Sequence, residues 1–420
     1  MYFVYYLLLP IVAVLLSPLI VAAFIIQPKF RAGFWEKIGF YKANNRIDNN
    51  KKTVVFHAVS VGETNAIETF VKKYREQNPN VNIVLTTTTK TGQEVAVKKI
   101  GSVVNQITYF PYDFYFSVNA FFSCFRPETV VIAETEIWPC FVKNAKNRNI
   151  KVVIANGRIS PNSYNGYMKF SFIFKNILSN YNKILMQSED DAKRIIDIGA
   201  NVDLVKVMGN LKYDISPTLS QQEVTSLALE LGLNGERVFV AASTHSGEDE
   251  IVVDAYLTAK KSHSDLKMII APRHPQRYDE VIEIIQKTGM RYGRRSTSDK
   301  FSDVDIIMLD TMGELSNFFS IAHIAFIGGS FSNTGGHNPL EANIYGKPVL
   351  SGPTIFNFKD VYKLLTPTGA AIIVNTREEL ASQLIISLED SSKYQLASSA
   401  ASQVFERNRG AVDFLINELE

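Results

Sequence analysis

The sequence predicts an α/β protein made of two doubly wound, parallel-sheet domains in tandem behind an apolar N-terminal anchor. Short apolar runs of strand length alternate with helical stretches from Thr53 onwards. The alternation pauses at the polar stretch Ser216–Gln222 and then starts again. At 420 residues the chain has length enough for two complete cores. The expected division is 1–28 for the anchor, 29–52 for a juxtamembrane segment and linker, 53–215 for the first domain and 223–390 for the second. Helices over 391–420 are expected to pack on the surface or cross back to the first domain.

Met1 to Pro28 carries no charged side chain and is dominated by Leu, Ile, Val, Phe and Tyr. That exceeds the roughly 20 residues needed to span a bilayer. Lys29, Arg31 and Lys37 follow the run instead of preceding it. This order is wrong for a cleaved signal and, by positive-inside bias, leaves the bulk of the chain in the cytoplasm. A membrane anchor is therefore favoured over a buried core helix, and Pro10 and Pro18 either kink it or make it a shallower anchor. Phe30 to Tyr41 mixes cations with Phe34, Trp35, Phe40 and Tyr41, which suits a headgroup interface or a docking strip for an amphiphilic substrate. Asn44 to Lys52 reads as a polar linker.

In the first domain strands are expected at Val54–Phe56, Asn82–Leu85, Thr129–Ala133, Lys151–Ala155, Lys183–Gln187 and Leu204–Met208. The helix between the last two has Ser188 as its N-cap and Gly199 as its stop. The first strand runs into His57–Glu63, where Gly62 permits a tight turn and Glu63 falls in the first turn of a helix. A helix dipole there would keep the carboxylate ionised, as a general base requires, although many proteins carry a helix-start Glu with no such role. His57 reads as a packed or ligand-orienting group. A later strand ends in Glu134-Thr135-Glu136-Ile137-Trp138, a carboxylate pair able to divide acid and base roles or merely to cap a helix. Lys212, after the last strand, brings a cation to the same edge, or else is an ordinary solvated lysine.

The second domain is expected to use Val238–Ala242, Lys267–Ala271, Asp305–Leu309, Ile324–Ile327, Pro348–Leu350 and Ala371–Val374 as strands. Ile324–Glu341 is its most informative stretch: a buried strand, a loop with Gly328, Gly329, Gly335 and Gly336, and a helix start. Asn338 suits the N-cap, Pro339 the first helical position, and Glu341 a capping box. Free N–H groups and the dipole there attract a phosphate. The plain alternative is a βαβ turn in which Glu341 caps its own helix. The stretch fits neither a GxGxxG fingerprint nor a Walker A loop. Ser243–Glu248, the Pro-framed Arg273 and Met312-Gly313-Glu314 follow other strands and add anion-binding groups. Anion-binding groups on one side of a cleft and carboxylates on the other suit a transferase with an anionic leaving group.

Composition narrows the classes. A formal net charge of +2 implies no field for nucleic acid. Cys124 and Cys140 lack metal-ligand spacing and fit a reducing compartment. The six histidines make no HExxH-like pair, and no metal site is readable.

The series HAVSVGE, AETEIWP, NGRIS (Asn156–Ser160), GNLKYD (Gly209–Asp214), APRHPQR, MGEL and GGSF…GGHNPLEA resembles, in order, the motif set of the 3-deoxy-D-manno-octulosonic acid (Kdo) transferases. The resemblance covers nearly the whole chain. It implies a GT-B architecture, two Rossmann-like domains facing a central cleft, and metal-independent transfer of Kdo from CMP-Kdo to a lipid A precursor (lipid IVA), with inversion, at the inner membrane. CMP-Kdo is then the donor substrate and no cofactor is expected. Glu63 matches the family's general base, and Glu134 and Lys212 match positions credited with transition-state stabilisation. Pro272, Arg273, Met312, Gly313, Glu314, Asn338, Pro339, Leu340 and Glu341 match the CMP-binding positions. The competing readings are another GT-B nucleotide-sugar enzyme of envelope synthesis, which should lack the HAVSVGE and ETEIWP pair, and a non-catalytic membrane-anchored binding module, which would tolerate loss of Glu63.

Overall fold

In a computed structural model of the chain, residues 2–27, 31–297 and 300–420 are described. The chain divides into two units, Met1–Asp214 with Arg409–Glu420, and Ile215–Asn408. Of the residues flanking the predicted anchor, Pro28, Lys29 and Phe30 lie outside the described residues.

The first unit is organised by β1 (Thr53–His57), β2 (Asn82–Thr87), β3 (Gln106–Tyr109), β4 (Thr129–Ala133), β5 (Lys151–Gly157), β6 (Lys183–Met186) and β7 (Val205–Val207). They form one parallel sheet in the order β3-β2-β1-β4-β5-β6-β7. The strands are apolar on both faces because helices cover both. Val55, Val84, Val130 and Ile154 pack towards Phe121 and Phe141 on one side. Val54, Phe56, Val131 and Val153 pack with Phe70 on the other. Between Lys183–Met186 and Val205–Val207, Ser188 accepts from the Asp191 N–H and Gly199 closes the helix Glu189–Ile198, as its sequence predicts.

The second unit repeats the plan with β8 (Arg237–Thr244), β9 (Leu266–Pro272), β10 (Tyr292–Arg294), β11 (Ile306–Met308), β12 (Ile324–Ile327), β13 (Val349–Ser351) and β14 (Ala371–Ile373). Its parallel sheet has the order β10-β11-β9-β8-β12-β13-β14. Two strands, β3 and β10, were not legible in the sequence, and both are sheet edges. An edge strand is half solvated and needs no continuous apolar run. Gln106 and Ile107 are only partly buried, and β10 reads Tyr-Gly-Arg.

Two further expectations change. The stretch read as a linker is fastened along the β2–β3 edge: Asn44 N–H donates to Gln106 Oε1 (2.9 Å), Asn105 Nδ2 to the Arg46 carbonyl (2.7 Å) and Asn82 Nδ2 to the Asp48 carbonyl (2.7 Å). The apolar N-terminus is two helices, Tyr2–Leu15 and Ser17–Ile26, with a 59° bend between Leu9–Leu15 and Ser17–Ile26. No single helix among the described residues is long and apolar enough to cross a membrane. Pro18 has no N–H for the Val14 carbonyl and its ring crowds that carbonyl, so the helix breaks just before it.

The C-terminal helix Ala411–Leu419 belongs to the first unit, where Val412, Leu415 and Ile416 enter the core beside Ile67 and Phe70. Asp214 fixes its start, accepting from the Gly410 N–H (2.6 Å) and the Val412 N–H (2.5 Å). Each fully buried side chain of this size contributes about 1.5–3 kcal/mol. Deleting residues 409–420 should therefore lower the stability of the first unit by about 4 kcal/mol or more. The check is thermal unfolding followed by a probe in that unit. An unchanged melting temperature would contradict the packing described.

Candidate active site

Both sheets reverse strand order beside their first strand, between β1 and β4 and between β8 and β12. Open α/β sheets offer ligand sites at the carboxyl ends of such strand pairs. In the first unit the β1 loop carries Glu63 and the β4 loop carries Glu134 and Glu136. Glu63 sits in the first turn of the helix Val61–Gln77. Its Oε2 accepts from the Val59 N–H (2.7 Å) and its Oε1 from the Ser60 hydroxyl (3.2 Å). Burial, opposed by those hydrogen bonds and reinforced by the negative charges of Glu134 and Glu136, pushes the Glu63 carboxyl up to about 7. The sequence argument that the helix dipole keeps it ionised is thus corrected. Desolvation outweighs the dipole, and the group is poised near neutrality. Burial also raises Glu136.

Glu134 has φ 57°, in the left-handed region, and its N–H donates to the Ala155 carbonyl (2.9 Å). Asn156 at the end of β5 has φ 56°. Strain of this kind costs about 1–3 kcal/mol per residue and concentrates at functional strand ends. Asn156 is fully buried. Its Oδ1 accepts from the Leu211 N–H (3.0 Å) and its carbonyl from Gln187 Nε2 (2.9 Å). Gln187 Oε1 in turn accepts from Asn210 Nδ2 (3.0 Å), and Asn210 Oδ1 from the Lys212 N–H (3.0 Å). This chain of amides fixes the single 3-10 turn Leu211–Tyr213 that carries Lys212. The motifs NGRIS and GNLKYD are therefore one hydrogen-bonded device, a relation that only the fold reveals.

His57 is packing. Thr86 donates its hydroxyl to the Phe56 carbonyl (3.2 Å), so it accepts from His57 Nδ1–H (3.0 Å). The imidazole stacks on Phe110 with centroids 3.9 Å apart, and burial lowers it to about 3.

In the second unit the loops after β8, β9, β11 and β12 share one carboxyl edge. Arg273 is exposed there, and its N–H donates to the Thr244 carbonyl (3.0 Å). Pro272 is buried as the last residue of β9. Arg277 is instead committed to Asp249 and Glu280. Met312 and Gly313 are exposed after β11, and Tyr278 reaches the Met312 sulfur (3.7 Å). Glu314 accepts from Arg295 (3.2 Å) and Thr311 (3.0 Å). Asn338 Oδ1 accepts from the Leu340 N–H (3.1 Å), and Pro339 and Glu341 flank that turn. The helix that follows is only Leu340–Asn343, with Leu340 buried. One turn has little macrodipole, so its contribution to holding a phosphate is smaller than the sequence reading supposes.

The glycine loop departs further from expectation. Gly328 lets β8 and β12 converge: a Cβ there would lie 2.4 Å from the Ser243 carbonyl oxygen. The next N–H groups, of Gly329 (2.7 Å), Ser330 (2.8 Å) and Phe331 (2.7 Å), all point at the carboxylate of Glu248, which also accepts from the His245 N–H (2.8 Å). Glu248 is 1% exposed. An internal carboxylate thus takes these three N–H groups, which the sequence reading leaves to a ligand.

Two imidazoles from the loops after β8 and β12 meet at this edge. His245 Nε2 lies 2.9 Å from His337 Nε2, and His274 sits edge-on to His245 at 5.3 Å. Burial, then the charge of Arg273, lowers His337 to about 4. Burial lowers His245 as well, so the two rings meet in their neutral forms at pH 7, one donating to the other. Neither this pair nor the Glu248 tie was singled out in the sequence, although the His245-x-x-Glu248 spacing at a helix start was available as a signal. A concavity of about 930 Å3 in this unit, lined by Leu257, Met290 and the Arg377–Asp254 pair, shares no residue with this edge. Among the described residues no group of His, Cys, Asp or Glu is arranged to hold a metal ion.

Comparison with known proteins agrees with this arrangement. The family profile described as 3-deoxy-D-manno-octulosonic-acid transferase (kdotransferase) matches residues 32–215. The 3-deoxy-D-manno-octulosonic acid transferase of Haemophilus influenzae is 31% identical over 94% of this chain and 92% of its own length. That of Bordetella pertussis is 30% identical over 87% and 86%. In fold, the chain is similar to a UDP-GlcNAc 2-epimerase from Neisseria meningitidis (TM-score 0.58, 12% identity, 88% of this chain and 99% of that one). It is likewise similar to a glycosyltransferase from Rickettsia africae (TM-score 0.52, 13% identity, 88% and 97%). Two Rossmann-like sheets of GT-B type and identity sustained along the whole length lead to one conclusion: the chain belongs to the 3-deoxy-D-manno-octulosonic acid transferase family and is a Kdo-transferring glycosyltransferase of lipopolysaccharide synthesis.

Proposed function

We propose that the donor is CMP-Kdo, that the acceptor is a sugar hydroxyl of a lipid A precursor such as lipid IVA, and that transfer proceeds with inversion at the membrane surface. Glu63 is the general base: as the acceptor oxygen attacks the anomeric carbon of Kdo, the bond from that carbon to the phosphate breaks, CMP leaves with the electron pair, and Glu63 takes the hydroxyl proton. The observation that carries this reading is a carboxyl at the β1–β4 switch point held near 7 by burial and neighbouring carboxylates. A base poised there is deprotonated often enough to act and basic enough to accept the proton.

Lys212 and Glu134 are assigned to transition-state stabilisation. The cation offsets charge on the departing phosphate and the Kdo carboxylate, and the carboxylate faces the oxocarbenium-like centre. Arg273 takes the CMP phosphate as a fork of donors. Pro272, Met312, Gly313 and Glu314 line the nucleotide, and Asn338, Pro339, Leu340 and Glu341 form the turn that contacts the ribose. The donor's own phosphate is the leaving group, so this reading calls for no resident cofactor and no metal.

The test supplies detergent-solubilised protein with CMP-Kdo, with and without tetraacylated lipid A precursor, and follows CMP release and product mass. Acceptor-dependent release with a mass gain of whole Kdo units is expected. Folded protein that releases no CMP with the acceptor present would redirect the search to another donor or acceptor.

A further inference from the structure

The uncharged N-terminal run has two feet on the first unit. The first foot is a tyrosine face with helical spacing. Tyr5 donates its hydroxyl to Asp113 Oδ2 (2.8 Å), Asn180 Nδ2 donates to the Tyr2 hydroxyl (2.6 Å), and Asn144 Nδ2 to that of Tyr6 (3.4 Å). Asp113 is 7% exposed and also accepts from the N–H groups of Cys140 (2.9 Å) and Phe141 (2.7 Å). The foot is thus locked to the start of the helix Pro139–Asn147.

The second foot closes the other end. Arg31 donates from Nε to the Phe24 carbonyl (2.8 Å) and from Nη2 to that of Ile25 (2.7 Å). The Phe24 ring packs on Phe34 with centroids 4.8 Å apart. The helix Phe34–Ile38 is itself tied down, with the Tyr112 N–H donating to the Lys37 carbonyl (2.8 Å) and the Ser117 hydroxyl to that of Ile38.

Between the feet the chain is apolar, and among its described side chains Val14 is 71% exposed, Leu15 72% and Leu19 68%. From Tyr6 to the break at Leu16 a helix rises about 15 Å, and from there to Phe24 about 12 Å. A bilayer's hydrocarbon core is about 30 Å thick. With both feet on the protein, neither arm reaches the far leaflet. The surroundings favour acidic lipid. The helix Pro139–Asn147 under the first foot carries Lys143 and Lys146, ends at Arg148, and holds no Asp or Glu. Lys143 Nζ stands 5.5 Å from the Tyr2 ring. Trp35 and Phe40, each 67% exposed, flank the second foot, as aromatic side chains do at headgroup level.

We propose that Tyr2–Ile26 is a two-footed arch that immerses in one leaflet of an anionic phospholipid membrane and leaves on the side it entered, and that it does not span the bilayer. The amino terminus then stays on the same side as the first unit, in place of the single crossing the sequence suggests.

Two measurements on the full chain test this. An epitope placed ahead of Met1 is exposed to protease added outside intact spheroplasts. It should stay protected, like the rest of the chain, until lysis. An epitope cleaved while the rest of the chain is protected would establish a crossing and overturn the proposal. For depth, Leu16→Cys in a Cys124→Ser background is labelled with an environment-sensitive fluorophore and mixed with phosphatidylcholine–phosphatidylglycerol vesicles. These vesicles carry lipid quenchers at graded depths. Strong quenching from within the near leaflet is expected, several-fold above that of the same label at Lys169. No quenching at Leu16 would show that the arch lies outside lipid and would equally overturn it.

Discussion

Glu63→Gln should abolish Kdo transfer and, at pH 8, make the protein more stable than wild type. The two effects have one cause. Burial raises the Glu63 carboxyl to about 7, so the folded protein holds a proton that the unfolded chain releases near 4.5. Between those values the folded state binds more protons, and stability falls as pH rises through the window. Below about 4.5 no penalty remains; above about 7 all of it is present. Glutamine keeps an acceptor for Val59 and Ser60 and cannot ionise. The gain from substitution should thus be near zero at pH 4, where Glu63 is mostly protonated in both the folded and the unfolded state, and should reach about 3 kcal/mol at pH 8. Melting curves at the two pH values check this, and a gain of equal size at both would refute the assigned cause. Activity moves the other way. Loss of a positioned base costs about 10²–10⁴-fold. Wild-type kcat/KM should rise with pH along an acid limb centred near 7, a limb missing from whatever activity Glu63→Gln retains. A variant with wild-type rates would remove Glu63 from the mechanism.

Glu248→Gln should be the most damaging single-atom exchange in the second unit. Four backbone N–H groups converge on this buried carboxylate, three from the loop after β12 and one from the loop after β8. An amide offers one oxygen and turns its own N–H groups towards donors. Each buried donor left without a partner costs about 1–3 kcal/mol, so a loss of about 3–5 kcal/mol is expected. Amide hydrogen exchange at Gly329, Ser330 and Phe331 should quicken by at least a hundredfold, and donor binding should weaken as the two loops separate. Wild-type stability in Glu248→Gln would mean that the carboxylate does not hold the loops.

Much of this protein was legible in its sequence because buried parallel strands must be continuously apolar. Val54–Phe56, Thr129–Ala133, Lys151–Ala155 and Ile324–Ile327 declare themselves, and the pause at Ser216–Gln222 falls where the chain passes from one unit to the other. Motif order named the family, since HAVSVGE and AETEIWP occur together with the later motifs in one ordered series. Two of the four edge strands, β3 and β10, escaped notice because a half-solvated segment need follow no such pattern. The tertiary structure alone decided what neighbours do to a group. Linear order places Glu63 on a helix dipole, while the fold buries it beside Glu134 and Glu136, and desolvation sets its proton affinity. Linear order leaves the glycine-loop N–H groups to a ligand, while the fold hands them to Glu248, 81 residues away from Gly329. Linear order reads the first residues as a membrane anchor, while Tyr5 and Asp113, 108 residues apart, pin its beginning to the protein. Local pattern and hydrophobicity are properties of the chain, but desolvation, hydrogen-bond saturation and anchoring depend on distant residues that only folding brings together.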